Sequence, residues 1–320
     1  MEIDLTWPVL WDGLFWPLLR LMVFVSIGLF IGILIETLNW TRYVAVLASP
    51  LARIGRLKDV AAASFSMAFF SGMTANSMLA EAYDKEDISE KELIFSNLFN
   101  SFPTFCLHLP SLYGTILGYF IFSPETGLTY IYLTAGAALL RTTGIIIVGH
   151  FALPQLPEGC VPCRLDEAAK RRKKENPIKV AAQRFKKRVR KIASITIPIF
   201  SLIFFAKQFG FFRWLEANLS DSVLSFDFLP PESIGIVAVY LLGEIQGGLS
   251  TAAALLSDGI LTSHQVIIAL LVANFFSSPM RAFRHQYPYY AGFYKPRMAF
   301  KLIFFNQTLR AASIALVGMA

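Results

Sequence analysis

The chain has 320 residues, of which 55% are hydrophobic and 16% charged, with mean hydropathy +0.54 and a formal net charge of +7. A soluble domain carries about 25% charged residues, so this composition excludes a protein that faces water on every side. The charge is also uneven: positions 154–192 hold thirteen Lys/Arg against four Asp/Glu, a net of +9, which leaves the rest of the chain at −2.

Crossing a hydrocarbon core of ~30 Å takes about 20 apolar residues in a helix. Lipid satisfies no backbone group, so only helices and closed barrels span it. The apolar runs here are continuous and lack barrel alternation, which selects helices. Met1–Trp11 is acidic and aromatic, with no basic n-region and no small-residue cleavage site, so the first helix is expected to be retained. Leu14–Leu38 is the first full span. Trp40–Lys58 follows with Arg42, Arg53, Arg56 and Lys58 and reads as an amphipathic cytoplasmic segment, which puts the N-terminus outside. Val60–Tyr83 begins apolar and then meets Ser71-Gly72-Met73-Thr74-Ala75-Asn76-Ser77, where a break is expected. Asn97 and Asn100 lie on the next helix, where amides can bond across helices or line a path. Ser101-Phe102-Pro103 is a second interruption, followed by Cys106, read as packing, and by His108 and Pro110. Leu128–Ala152 spans again, with Arg141 inside it.

The basic segment 154–191 is placed in the cytoplasm by the positive-inside rule. Flanked by membrane helices, runs such as Lys170–Lys174 and Arg184–Lys191 read as an orientation signal or a headgroup contact, and no nucleic-acid partner is expected. Cys160-Val161-Pro162-Cys163 offers two of the four ligands of a structural zinc with no His nearby, so a redox or shared metal role stays open and no metal site is assigned. Ile192–Phe212 is a further span, and acidic Glu216–Glu232 is expected outside. Ser233–Ser257 begins apolar and meets Gly243-Glu244-Ile245-Gln246-Gly247-Gly248-Leu249-Ser250-Thr251, a second expected break. Asn274, Ser277-Ser278-Pro279 and His285 come next, then an aromatic cluster at Tyr287–Tyr294 that reads as an interfacial belt, and a last span, Arg297–Met319, containing Arg310.

Three blocks recur in order. Thr74–Leu93 aligns without gaps on Gly247–Val266, pairing Ser77 with Ser250, Ala80 with Ala253, Ser89 with Thr262 and Glu92 with Gln265. Ser101-Phe102-Pro103, His108, Pro110 and Gly114 echo Ser277-Ser278-Pro279, His285, Pro288 and Gly292. Leu140-Arg141 with Ile145, Val148 and Gly149 matches Leu309-Arg310 with Ile314, Val317 and Gly318. The expected plan is all-α: a first membrane repeat over 1–153, a basic loop over 154–191, and a second repeat over 192–320. The repeats are expected in inverted topology, with broken or re-entrant helices and eight to ten membrane segments in all.

A helix of ~11 residues rises only ~16 Å, half the hydrocarbon core. A break at that depth must therefore face protein or a water-filled cavity, where its free N–H groups can hold a polar or anionic ligand. The candidate substrate-binding residues are Thr74, Asn76 and Ser77 at the first break, Glu244, Gln246, Gly247, Ser250 and Thr251 at the second, and Asn97, Asn274, Arg141, Arg310, His108 and His285 around them. Glu244 could bind a cationic or hydroxyl-bearing solute, carry a coupling proton, or pair with one of the arginines. The arginines stay charged and need a carboxylate, helix-end carbonyls or an anionic substrate, or must reach the interface. Histidine as a residue type changes charge near neutrality, so proton coupling is a candidate role for His108 and His285.

No phosphate loop, His-Glu-x-x-His motif or Gly-x-Ser-x-Gly elbow occurs, so neither an ATP-driven engine nor a familiar hydrolase site is expected. At Ser71–Ser77, Gly243–Thr251 and the two Ser-x-Pro interruptions the sequence resembles the nucleoside-recognition or "Gate" domain membrane proteins. That group includes the spore maturation membrane proteins and the gate portions of ferrous-iron transporter B. Gln246-Gly247-Gly248-Leu249-Ser250 is only partly similar to the hairpin tip of concentrative nucleoside carriers, without their Gln-Thr-Glu order, and the GTPase domain of the iron transporters is lacking. The resemblance implies a transporter-like fold. The expectation is a multi-pass secondary transporter of the cell inner membrane, carrying a small polar solute, nucleoside-like or anionic, with H⁺ or Na⁺ as coupling ion. It is not expected to be an enzyme or to need a cofactor, and a homo-oligomer is compatible with it. The alternative is a non-transporting membrane scaffold that works with a partner protein.

Overall fold

The structure is a computed structural model that describes residues 6–37, 50–154, 177–210 and 229–319, with the side chains at 36, 177, 203, 207, 242–244 and 284 outside that description. The expectations for Arg42, Cys160, Cys163, Lys170–Lys174 and most of Glu216–Glu232 also lie outside the described residues.

The described chain is helical, without strands. A short α1 (Trp7–Leu10) passes through a π-helical turn (Trp11–Phe15) into α2 (Trp16–Thr37). Then come α3 (Asp59–Ala68), α4 (Gly72–Asp84), α5 (Glu90–Phe99), α6 (Ser101–Tyr119) and α7 (Pro124–Ala152). The C-terminal part holds α8 (Pro177–Gln208), α9 (Ile234–Ser257), α10 (Ser263–Arg281), a π-helical turn (Ala282–Gln286), α11 (Tyr287–Ala291) and α12 (Pro296–Met319). Among the described residues five stretches are long and apolar enough to cross a bilayer: Trp7–Ile35, Pro124–Ala152, Ile178–Ala206, Ser263–Arg281 and Pro296–Met319. Four of them overlap runs read directly from the sequence. The fifth, Ser263–Arg281, carries Asn274, Ser277, Ser278 and Pro279, whose polarity hides it from a reading of apolar runs.

The first break forms where small polar residues accumulate. Helix α3 stops at Ala68, and Ser71 takes up an extended conformation and caps α4, its side-chain oxygen accepting from the Thr74 N–H at 3.2 Å. The two short helices pack on each other. Ser64 on α3 donates to the Ala75 carbonyl of α4 at 2.9 Å, and Asn100 donates to Ser64 at 2.8 Å.

The second break does not form. Gly243–Thr251 lies inside one continuous helix, α9, and the expectation of an unwound or re-entrant Ser233–Ser257 is corrected accordingly. Its glycines make room for neighbours instead. A Cβ built at Gly248 would sit 2.3 Å from the Tyr240 ring, and one at Gly247 about 3.0 Å from Val239. The break expected at Ser277–Pro279 is likewise displaced. Helix α10 runs through Pro279, and the irregularity created by the missing N–H appears afterwards, as the π-helical turn 282–286.

The closest helix pair is α2 with α6, which meet through Gly28-x-x-x-Gly32 and Gly114-x-x-x-Gly118. A Cβ built at Gly28 would stand 2.0 Å from the Gly114 carbonyl oxygen, and one at Gly114 would stand 2.0 Å from that of Gly28. Backbones this close gain dispersion and Cα–H···O contacts that larger residues would forbid. One apolar cluster joins α2 and α6–α10. A second joins α3–α5 to Tyr290, Tyr294, Leu302 and Ile303 of the C-terminal part, so the two parts share their cores.

The first aligned block has the same local structure twice. Ser89 and Glu92 form a capping box at the start of α5, and Thr262 with Gln265 forms the equivalent box at α10. The preceding turns match bond for bond. Asp87 N–H donates to Ala82 as Ile260 N–H donates to Leu255, with Glu86 (φ 60°) and Gly259 (φ 68°) both left-handed. This is the Schellman closure of a helix C-terminus, and at Gly259 it needs no Cβ.

Candidate functional site

The break before α4, the start of α6, the middles of α7 and α12, and the end of α10 surround one cavity of about 950 Å³. That is at the upper end of the size usual for a small-molecule pocket. Ser71, Gly72 and Asn76 line it from the break, with Asn97, Asn100 and Thr104 beside them. Ser277, Arg281, His285, Gln286, Tyr289 and Tyr290 join the lining from α10 and the segment after it. Arg141 on α7, and Asn306, Gln307 and Arg310 on α12, complete the polar lining, and Lys191 reaches it from α8.

Six of the candidate substrate-binding residues therefore meet: Asn76, Asn97, His108, Arg141, His285 and Arg310. Asn274 stands immediately behind, where its side-chain oxygen accepts from Arg310 and its amide donates to the Tyr130 hydroxyl at 3.4 Å. Thr74 and Ser77 point away as exposed residues of α4, Thr74 bonding back to the Ser71 cap. Gly247, Ser250 and Thr251 are not part of the lining. Ser250 donates to the Thr196 carbonyl at 3.5 Å and Thr251 to the Gly247 carbonyl at 3.0 Å, so both serve helix packing in α9. Gln246 leaves its buried Oε1 without a partner, outside the cavity. Glu244 is in α9 next to Ile245, which lines the cavity, but its side chain lies outside the described residues.

The expected aromatic belt is corrected too. Tyr290 and Tyr294 are buried and hydrogen-bonded, because their hydroxyls find partners on α4 and α5. Tyr290 donates to Asn97 at 3.2 Å, Asn97 donates to Asn76 at 2.9 Å, and Tyr294 donates to the side-chain oxygen of Asn76 at 3.2 Å. Asn76 in turn donates to the Gly72 carbonyl at 3.0 Å and to the Tyr289 hydroxyl at 3.3 Å. This network ties the break in the N-terminal part to the turn after α10, across more than 190 positions of sequence.

The cavity is cationic. Arg141, Lys191, Arg281 and Arg310 line it, and no Asp or Glu does among the described residues. Among the described residues Arg310 is held by neutral oxygens, those of Ser278 at 3.5 Å and of Asn274. The Nε of Arg141 is buried without a hydrogen-bond partner. Among the described residues no group of three or more His, Cys, Asp and Glu could hold a metal ion. Sequence reasoning missed Gln286, Asn306, Gln307 and the cavity role of Arg281. The signal for two of them was present, since Asn306 and Gln307 lie one turn before Arg310 and so share its helix face.

These features define an all-helical protein with helices long and apolar enough to cross a membrane and a cavity that gathers polar and cationic side chains. The chain is similar to three uncharacterized proteins of Methanocaldococcus jannaschii. It is 27% identical to MJ0871 over 91% of this chain and 89% of that protein, 28% identical to MJ1556 over 91% and 90%, and 25% identical to MJ0880 over 91% and 93%. No described protein family matches the chain, and no solved structure does.

Proposed function

We propose that this chain is a multi-pass secondary permease of the cell membrane that binds a small polar solute in the cavity described above. Its membrane helices are two repeats of opposite topology, and the short helices on either side of the Ser71 break form a re-entrant hairpin. The observation that carries this reading is the cavity itself, because it collects polar side chains from helices far apart in sequence. Lipid would leave such groups unsatisfied, and a dry scaffold would gain nothing from burying them. The equivalent placement of Arg141 and Arg310 on matching helices supports a site shared between duplicated halves. His108 and His285 line the same space and are the candidate carriers of a coupling proton, and Na⁺ is the other candidate ion.

The test is flux. Purified protein in proteoliposomes, loaded in turn against a proton and a sodium gradient, should accumulate at least one solute from a panel of nucleosides, organic anions and amino acids. Uptake should fall at least tenfold for Arg141→Gln and for Asn97→Ala. A protein that moves none of these solutes, and whose Arg141→Gln variant supports its cellular role unchanged, would instead be a scaffold acting with a partner protein.

A further inference from the structure

We propose that the cavity takes a small organic oxyanion that also carries hydroxyl or N–H donors, with its charged end on Arg141 and Arg310 and its donors on Asn100 and Gln307. This rests on the reading of the cavity as the solute site and adds the chemistry of the solute.

The charged end follows from the arginines. Helices α7 and α12 each bring one to the same cavity, and α10 adds Arg281. A guanidinium does not lose its proton, so desolvation cannot be relieved by neutralisation, and two buried forks that meet no carboxylate among the described residues are costly. Arg141 has an unpartnered Nε, and the bonds of Arg310 to Ser278 and Asn274 use two of its five N–H donors. A carboxylate or phosphate arriving between them meets planar forks that fit it in bidentate fashion.

The polar end follows from two amides whose orientation is fixed by their own bonds. The Asn100 amide nitrogen donates to Ser64 at 2.8 Å, which leaves its Oδ1 unpartnered on a side chain 5% exposed. The Gln307 nitrogen donates to Gln286 at 2.8 Å, which leaves its Oε1 unpartnered on a side chain 8% exposed. Both residues line the cavity, and both oxygens can only accept. A plain inorganic anion would satisfy the arginines and leave the amides idle. A neutral nucleoside would do the reverse. A hydroxy acid or a sugar phosphate satisfies both, and so does a glycerophosphate headgroup of a lipid.

The test uses full-length protein in phosphatidylcholine nanodiscs at constant ionic strength, with its melting temperature followed against malate, glycerol 3-phosphate, inorganic phosphate, glycerol and uridine. Malate and glycerol 3-phosphate should stabilise most, phosphate less, and glycerol and uridine not at all. Arg141→Gln should melt at or above wild type in anion-free buffer, because an uncompensated buried charge is gone. The same variant should bind the anions about ten to a hundredfold more weakly. Arg141→Lys, which keeps the charge and loses the fork, should fall between. Stabilisation by uridine or glycerol with no response to any anion overturns this inference and leaves the permease reading intact. Anion binding without flux in proteoliposomes overturns the permease reading and leaves this one intact. Protection only in nanodiscs containing phosphatidylglycerol, with no competition from glycerol 3-phosphate, assigns the oxyanion to a lipid headgroup and removes a soluble cargo. An Arg141→Gln variant that keeps wild-type anion affinity also overturns the proposal.

Discussion

Gly28→Ala adds one methyl group where helix α2 meets α6, and there the added carbon would sit 2.0 Å from the Gly114 carbonyl oxygen. Ordinary contact begins near 3.4 Å, so the backbones must part by roughly 1.4 Å, and no flexible side chain is present to move instead. Over-packing of this kind costs about 1–3 kcal/mol. Alanine's better helix propensity returns about 0.5–1 kcal/mol. The net expectation is a loss of about 1–2 kcal/mol, enlarged because the separation also loosens Gly32 on Pro110 and Gly118 on Val25. The same substitution at Gly136 or Gly144 on α7 meets nothing within 4 Å and should be neutral or stabilising by about 0.5–1 kcal/mol. Melting curves of the four proteins in one detergent give the comparison, with Gly28→Ala lowest by a few degrees. If Gly28→Ala melts with Gly136→Ala, the backbone contact between α2 and α6 does not hold the fold together and the reasoning fails.

Asn97→Ala removes the bonds to both Asn76 and Tyr290, and stranding those buried groups should cost about 2–3 kcal/mol in a denaturation assay. Tyr290→Phe, which removes only one donor, should cost about 1 kcal/mol. Ser89→Ala and Thr262→Ala delete equivalent caps, so each should cost about 1 kcal/mol and speed amide exchange in the first turn of its own helix. Glu92, outside the five spanning helices, is subject to burial that raises its pKa, but the Ser89 backbone N–H, Lys58 and the Ser89 hydroxyl outweigh burial and hold it below 4.5. A depressed carboxylate stabilises above its unfolded pKa and loses that contribution as pH falls through the folded one. The melting advantage of wild type over Glu92→Gln should therefore be full at pH 7 and shrink once the pH drops below about 4.5.

The helices were legible in the sequence wherever twenty apolar residues ran together, and the break at Ser71 was legible because small polar residues there include a hydroxyl able to cap the next helix. Gly243–Thr251 looked the same by composition. Glycine and serine next to bulky neighbours serve equally well to unwind a helix or to let Tyr240 lie against it, and only the packed partner decides. Asn76, Asn97, Arg141 and Arg310 could be named in advance, since polar groups in apolar helices need a reason to be there. Their mutual placement could not, since helix packing sets it, nor could the partners of Tyr290 and Tyr294, which lie more than 190 positions away.

The asparagine–tyrosine network has a thermodynamic consequence. Asn76, Asn97, Tyr289 and Tyr290 both fasten the two parts of the chain and form the cavity wall, so the same donors and acceptors serve a guest molecule and the fastening. A guest that competes for those atoms weakens the tie by the same factor by which the tie lowers the guest's affinity. Occupancy of the cavity and integrity of the fastening are thus governed by one shared coupling energy.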